Sequence, residues 1–135
     1  MSHRIQAFRR AMPILASRKE ASRGRPGTSH AFEIQIDKRE GTTFVRLTGE
    51  LDMATAPALQ EALHAAQHAE TSHVIVDLRQ LTFLDSFGLR ILAAADIAGR
   101  DGHVKVSFIS GSDSVHRVFE ITEMGKRVDW TDAPE

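Results

Sequence analysis

Hydrophobic and polar positions along this chain change from an alternating to a helical period, and the change marks the elements. Between Phe32 and Ile36 every second residue is apolar, which predicts a half-buried strand. A polar turn at 37–41 leads to a returning strand, so this region predicts a β-hairpin. The run His73–Leu78 is almost continuously apolar and predicts a buried central strand. The remaining strands are predicted at 43–48, 104–109 and, as a short edge strand, 127–130.

Helical patterns separate these predicted strands. Thr55 is placed to cap the first helix, with Pro57 in its first turn, where a missing N–H costs nothing. A second helix is predicted to begin at 85–86 and to continue through the strong helix formers at 91–98, and Ser112 caps a short third helix at 112–121. One face of the first helix is predicted to pack on a sheet because apolar residues recur at i, i+3, i+4 and i+7, at Leu59, Ala62, Leu63 and Ala66.

The order of these elements predicts an α/β fold. A strand, a helix and a strand in succession form a crossover that makes the two strands parallel, whereas the opening hairpin is antiparallel. The sheet is therefore expected to be mixed, with about four to five strands, and to be covered mainly by helices. Binding sites in such sheets gather beyond the carboxyl ends of the strands.

The segment 82–92 joins the central strand to the second helix, and Asp85 and Ser86 lie where that helix begins. Either side chain can cap free backbone N–H groups there, and the Ser86 hydroxyl is expected at the surface. One helix face is predicted to be core: Gly88, Ile91, Leu92, Ala95, Ala98 and Gly99. The opposite face carries Ser86, Leu89, Arg90, Ala93 and Ile97. Its apolar members indicate either a docking stripe or packing beneath a neighbouring loop.

Charge divides the chain unequally. Residues 1–30 carry a net charge of +6, and the other 105 residues carry −7, which together give −1. The first segment lacks apolar periodicity and predicts a disordered basic tail, left either unstructured or in contact with an anionic surface. Residues 31–131 are predicted to form one domain, and 132–135 a short C-terminal tail. No apolar run reaches the roughly 20 residues that span a bilayer.

Other chemistries find little support. The chain has no cysteine, which excludes disulfides and thiolate–zinc sites and suits a reducing cytoplasm. Ser86 as an esterase nucleophile would need a G-x-S-x-G elbow, and 85–88 does not provide one. His64 and His68, at i and i+4, could hold a metal with His73, but a solvated helix face explains them better.

Four motifs in fixed order give the chain a family resemblance: Gly49–Asp52, Thr55–Leu59, Val74–Leu78 and Leu84–Leu89. Together they resemble the STAS domain, and more narrowly the bacterial anti-anti-sigma factors, that is, anti-sigma factor antagonists. The resemblance implies a cytoplasmic protein that is not an enzyme and needs no cofactor or metal. It implies capture of an ATP-dependent serine-kinase anti-sigma factor, which frees a sigma factor, with no direct contact to nucleic acid and no membrane span.

The resemblance also implies a switch at Ser86. Phosphorylation of this serine by the kinase abolishes capture, and a serine phosphatase restores it. Phe87 departs from the family, which commonly has a second small hydroxyl residue there. The alternative is a STAS interaction module of a larger signalling assembly that is never phosphorylated. Gly49–Asp52 is either a tight loop or a second edge of the partner surface. The expected partner surface comprises Glu50, Asp52, Thr55, Asp85, Phe87, Gly88, Leu89, Arg90, Ala93 and Ile97.

Overall fold

Strands and helices alternate along residues 32–134, the part of the chain that the computed structural model describes. The strands are β1 (Phe32–Arg39), β2 (Thr42–Leu51), β3 (His73–Leu84), β4 (Lys105–Ile109) and β5 (Asp129–Thr131). The helices are α1 (Ala56–His68), α2 (Ser86–Asp101), α3 (Asp113–Glu120) and α4 (Met124–Arg127). The predicted basic tail at 1–30 lies outside the described residues, and the predicted domain boundaries stay predictions.

The strands form a five-stranded sheet in the order β1-β2-β3-β4-β5. β1 and β2 pair antiparallel, whereas β2–β3, β3–β4 and β4–β5 pair parallel, which confirms the predicted mixed sheet. Glu40 and Gly41, with φ of 45° and 86°, make the tight turn between β1 and β2. Positive φ at both central residues gives such a turn the twist that a two-stranded hairpin needs.

The helices bury their apolar faces against one side of the sheet. Val45, Val76 and Phe108 lie in the core on three neighbouring strands. The predicted apolar face of α1 is confirmed, because Leu59, Ala62, Leu63 and Ala66 are all buried. The ring centroids of Phe119 and Trp130 lie 5.0 Å apart in an edge-to-face arrangement that joins α3 to β5. One continuous core therefore links every strand of the sheet.

Asp77 is buried on the other face of β3, since successive side chains of a strand point to opposite sides. Its carboxylate accepts hydrogen bonds from Arg79 Nε at 3.0 Å and Nη2 at 2.8 Å, and Arg46 Nε lies 3.6 Å away. Burial alone would raise the pKa of Asp77. The hydrogen bonds from Arg79 and the charges of Arg79 and Arg46 outweigh burial and lower that pKa.

Several predicted boundaries are wrong. β2 continues through Leu51, where a loop was expected from Gly49, because the parallel pairing with β3 continues through two register shifts to Leu51 opposite Leu84. The edge strand is displaced to 129–131, and the short helix α4 before it was not predicted. Phe83 is 47% exposed, since the side chain next to it, Leu84, takes the buried position.

Candidate functional site

The carboxyl ends of β2 and β3 meet at one edge of the sheet. Leu51 and Leu84 are register partners there, and Asp85 N–H donates to Leu51 C=O at 3.2 Å. The chain then enters α2 at Ser86. Residues from two motifs far apart in sequence, Glu50 and Asp52 on one side and Asp85 and Ser86 on the other, are thus held at the same edge. This is the position at which parallel sheets usually bind partners.

Asp85 caps helix α2. Its Oδ1 accepts hydrogen bonds from the backbone N–H groups of Phe87 at 2.9 Å and Gly88 at 3.0 Å. These are donors that the first turn of a helix leaves without an intrahelical acceptor. The expectation that either Asp85 or Ser86 caps the helix is therefore resolved in favour of Asp85.

Ser86 is the first residue of α2, and its side chain is exposed as expected. Within residues 32–134 its hydroxyl makes no hydrogen bond, so the hydroxyl does not help to hold the described domain together. Phe87 follows with 43% of its surface exposed. One turn on, the exposed Arg90 places its guanidinium carbon 5.8 Å from the centroid of the Phe87 ring.

A tight loop precedes α1, but it begins only at Asp52, because Gly49, Glu50 and Leu51 are the last residues of β2. Thr55 Oγ1 accepts from the Asp52 N–H at 2.9 Å and donates to the Glu50 C=O at 3.0 Å. Asp52 Oδ1 accepts from the N–H groups of Ala54 and Thr55 at 2.9 and 3.1 Å. Glu50 and Asp52 remain half-buried at the edge. The interpretation of Gly49–Asp52 as a tight loop is therefore wrong for its first three residues, and the alternative, a second edge of the partner surface, stays a prediction.

Three residues of the expected partner surface are not accessible. Thr55 is only 2% exposed, because its hydroxyl holds the loop together and makes no capping bond to α1. Gly88 is buried, and a Cβ there would lie 2.5 Å from Leu51 Cγ and 2.8 Å from Leu84 Cδ1. Leu89 is also buried, which contradicts its expected place in an exposed stripe. All three support the site from beneath.

The rest of the expected stripe is partly exposed. Ile97 is 51% exposed, Arg90 is exposed and Ala93 is half-buried against the core. The predicted core face of α2 is confirmed at Leu92, Ala95 and Gly99, whereas Ile91 is only half-buried and Ala98 is exposed. α2 packs on α1, β4 and α3 together, so its buried arc differs from the one a single sheet contact predicts.

Two exposed apolar side chains at this edge were not predicted from the sequence. Met53, in the loop between β2 and α1, and Phe83, opposite Glu50 in the register of β2 and β3, are both exposed. The alternation of Phe83 with the buried Leu84 was the available signal.

Residues 32–134 contain no group of three or more His, Cys, Asp or Glu side chains placed to hold a metal ion. His64 and His68 stack with ring centroids 4.2 Å apart, while His73 Nε2 lies 2.8 Å from Ser107 Oγ. Across the same described residues, no helix has the length and apolar character required to cross a bilayer.

The family model of the STAS domain matches residues 33–133. This chain belongs to the STAS domain family. An anti-sigma-B factor antagonist of Listeria monocytogenes is 32% identical over 92 residues, which are 67% of this chain and 81% of that protein. One from Staphylococcus aureus is 32% identical over 78 residues, 58% of this chain and 72% of that protein. The resemblance drawn from the four motifs is confirmed.

A solved structure shares the architecture. The crystal structure of an anti-sigma factor antagonist from Mycobacterium paratuberculosis superposes with a TM-score of 0.71 at 25% identity, covering 78% of this chain and 90% of that one. The names of all three proteins describe regulatory antagonists and not enzymes.

Proposed function

We propose that this STAS domain protein is an anti-sigma factor antagonist that is switched at Ser86. In the unphosphorylated state it captures a serine-kinase anti-sigma factor in the cytoplasm and so frees a sigma factor. The kinase uses ATP to phosphorylate Ser86, which ends capture, and a serine phosphatase restores it. The observation that carries the proposal is the exposed Ser86 hydroxyl, which makes no hydrogen bond within residues 32–134, at the sheet edge where both motifs meet.

The local geometry favours a switch that acts at the surface without refolding the domain. Asp85 already accepts hydrogen bonds from the N–H groups of Phe87 and Gly88, so these donors are not available to a phosphate on Ser86. From the start of the helix the phosphate would gain the favourable end of the helix dipole, about 0.3–1 kcal/mol at an exposed position. The negative charge of Asp85 opposes it. The folded domain therefore has little reason to rearrange around the phosphate.

The larger effect falls on a partner that packs over Ser86. A phosphate adds about −1.5 to −2 charges. Removing it from water without a partner costs several kcal/mol, and about 1.4 kcal/mol is a tenfold change in affinity. Capture and release can thus be separated by orders of magnitude in affinity. The surface that would contact the kinase consists of accessible members of the expected set: Glu50, Asp52, Asp85, Phe87, Arg90, Ala93 and Ile97.

The test uses each purified serine-kinase anti-sigma factor of the source organism. Full-length protein is incubated with kinase and ATP, and intact-mass and peptide mass spectrometry locate any phosphate. Ser114 supplies the matched control, because it is an exposed serine in the first turn of α3. We expect Ser86→Ala to accept no phosphate and to bind the kinase constitutively, and Ser114→Ala to behave as the wild type.

Titration calorimetry then compares the two forms of the wild-type protein. We expect phosphorylation at Ser86 to weaken kinase binding at least about 100-fold, which corresponds to about 2.7 kcal/mol. Binding that is undiminished by phosphate, or phosphate found elsewhere with Ser86 untouched, refutes the switch. Kinase binding with no phosphate transfer at all supports the alternative of an interaction module that is never phosphorylated.

A further inference from the structure

Phe87 is a large apolar side chain that the folded domain leaves partly in water. It is 43% exposed, although the two residues that follow it in α2, Gly88 and Leu89, are buried. Isolated exposed apolar residues are common on protein surfaces, so exposure alone carries no conclusion. The position of this ring, directly after Ser86, gives the exposure its interest.

The backbone of Phe87 is held by a hydrogen bond, and its ring contacts a cation. Its N–H donates to the Asp85 carboxylate at 2.9 Å, which fixes the first turn of α2. The Arg90 guanidinium carbon lies 5.8 Å from the ring centroid, within the range of a cation–π contact. An aromatic side chain has only two rotatable side-chain bonds and loses little conformational entropy when it is buried in a complex, which favours its use as an anchor.

Arg90 adds a charge to this anchor. Its guanidinium is exposed and contacts the Phe87 ring. A partner that covers Phe87 therefore also meets the positive charge of Arg90. Complementarity requires an acidic group at that point.

We propose that Phe87 is the anchor that selects this protein's anti-sigma factor, through an apolar socket on that factor with an acidic side chain at its rim facing Arg90. The inference rests on the function proposed above and names the partner chemistry of that site. It also explains how the switch gains its effect. Because Ser86 is the residue before Phe87, seating the ring in a socket brings the serine hydroxyl to the edge of the contact. A phosphate would then have to be desolvated as the ring enters.

The test measures binding of full-length variants to the serine-kinase anti-sigma factor that captures the wild-type protein. We expect Phe87→Ala to weaken binding about 30-fold or more, as truncation of an aromatic hot spot does. Phe87→Leu keeps an apolar side chain without the ring and should lie between Ala and wild type. Arg90→Lys keeps the charge but loses the planar contact, and we expect it to retain more affinity than Arg90→Ala.

Ile121→Ala is the matched control, because Ile121 is an apolar side chain that is 75% exposed just after α3. Ile121→Ala should bind the anti-sigma factor within about twofold of the wild-type affinity. The midpoint of thermal unfolding of every variant should lie within about 4 °C of the wild-type midpoint, a shift that corresponds to less than about 1 kcal/mol. Equal affinity of Phe87→Ala and wild type, or equal losses of affinity in Phe87→Ala and Ile121→Ala, refutes the role of Phe87 as an anchor but leaves the proposed function standing. Should Phe87→Ala unfold, Phe87→Leu decides in its place, and wild-type affinity there overturns the anchor. Failure of every kinase to bind the wild type overturns the proposed function and this inference with it.

Discussion

The carboxylate of Asp85 accepts a hydrogen bond from the backbone N–H of Gly88, with 3.0 Å between the two atoms. This contact joins the end of β3 to the first turn of α2 and holds Ser86 between them. It separates two roles that adjacent residues could share: Asp85 stabilises the helix, and the hydroxyl of Ser86 faces solvent.

Asp85→Ala is expected to lower the free energy of unfolding by about 0.5–2 kcal/mol, because it removes the cap of α2. Asn can accept the same hydrogen bonds, so Asp85→Asn should retain most of the stability. Ser86→Ala, which removes no hydrogen bond of the described domain, should change stability by less than about 0.5 kcal/mol. Urea unfolding followed by circular dichroism makes the comparison. A larger loss in Ser86→Ala than in Asp85→Ala would contradict the assignment of the cap.

Gly88→Ala is expected to destabilise the domain by about 1–3 kcal/mol, the usual cost of overpacking a core. The new Cβ would lie 2.5 Å from Leu51 Cγ, and α2 would have to move away from the sheet. Alanine is the better helix former by about 1 kcal/mol, so a helix without this contact would gain stability. Gly102→Ala provides the control, since its Cβ would meet only Ala98 O at 3.3 Å. Thermal unfolding of the two variants tests whether α2 approaches Leu51 this closely.

Asp77→Asn is expected to lower the free energy of unfolding by about 1–3 kcal/mol near neutral pH, because hydrogen bonds to a charged group are lost. The contacts of Arg79 and Arg46 lower the pKa of Asp77 in the folded state despite its burial. Its contribution is therefore present above the unfolded pKa and is lost as the pH falls through the folded pKa. Urea unfolding as a function of pH should show wild type and variant converging in acid. A constant difference down to the lowest pH would contradict this origin.

The pKa of Asp96 is shifted in the opposite direction to that of Asp77, so its effect on stability depends on pH in the opposite sense. Burial raises its pKa above the ordinary value, against the charges of Arg100 and Arg127, although Arg100 Nη2 lies 3.0 Å from its carboxylate. The ionised form is thus disfavoured by folding, and this group adds stability as the pH falls through its folded pKa. We expect Asp96→Asn to cost less than Asp77→Asn near neutral pH and to remove this gain in acid. The same pH series of urea unfolding curves measures it, and an equal loss in both variants would refute the distinction.

In protein phosphorylated at Ser86, Arg90→Gln is expected to raise the pKa of the second phosphate ionisation. Arg90 lies four residues after Ser86 on α2, so its guanidinium can approach the phosphate and favour the doubly charged form. Arg90→Lys keeps a cation and should shift the pKa less. Phosphorus NMR titration measures the value directly. Equal phosphate pKa values in phosphorylated Arg90→Gln and phosphorylated wild type would show that Arg90 does not reach the phosphate.

The sequence was sufficient for those features that depend on local patterns. The period of 3.6 residues at Leu59 and Leu63 predicted the buried face of α1, and polar residues between apolar alternations predicted the hairpin. The capping preference of Ser112 predicted the start of α3, where its hydroxyl accepts from the Val115 N–H. Each of these features depends on residues that are close together in the sequence, so the sequence alone shows which residues interact. The four motifs between Gly49 and Leu89 likewise indicated the family.

Tertiary structure decided what depends on which elements meet. Leu89 is buried although it lies on the helix face opposite the predicted core. α2 packs on α1, β4 and α3, and a helical period cannot show how many neighbours a helix has. Thr55 is buried because its hydroxyl closes the loop of Glu50 and Asp52, a contact that competes with helix capping. Phe83 is exposed because the parallel pairing of β2 with β3 extends to Leu84 and sets which neighbour points inward. Sequence periodicity specifies an apolar face, but burial also depends on packing partners that are distant along the chain.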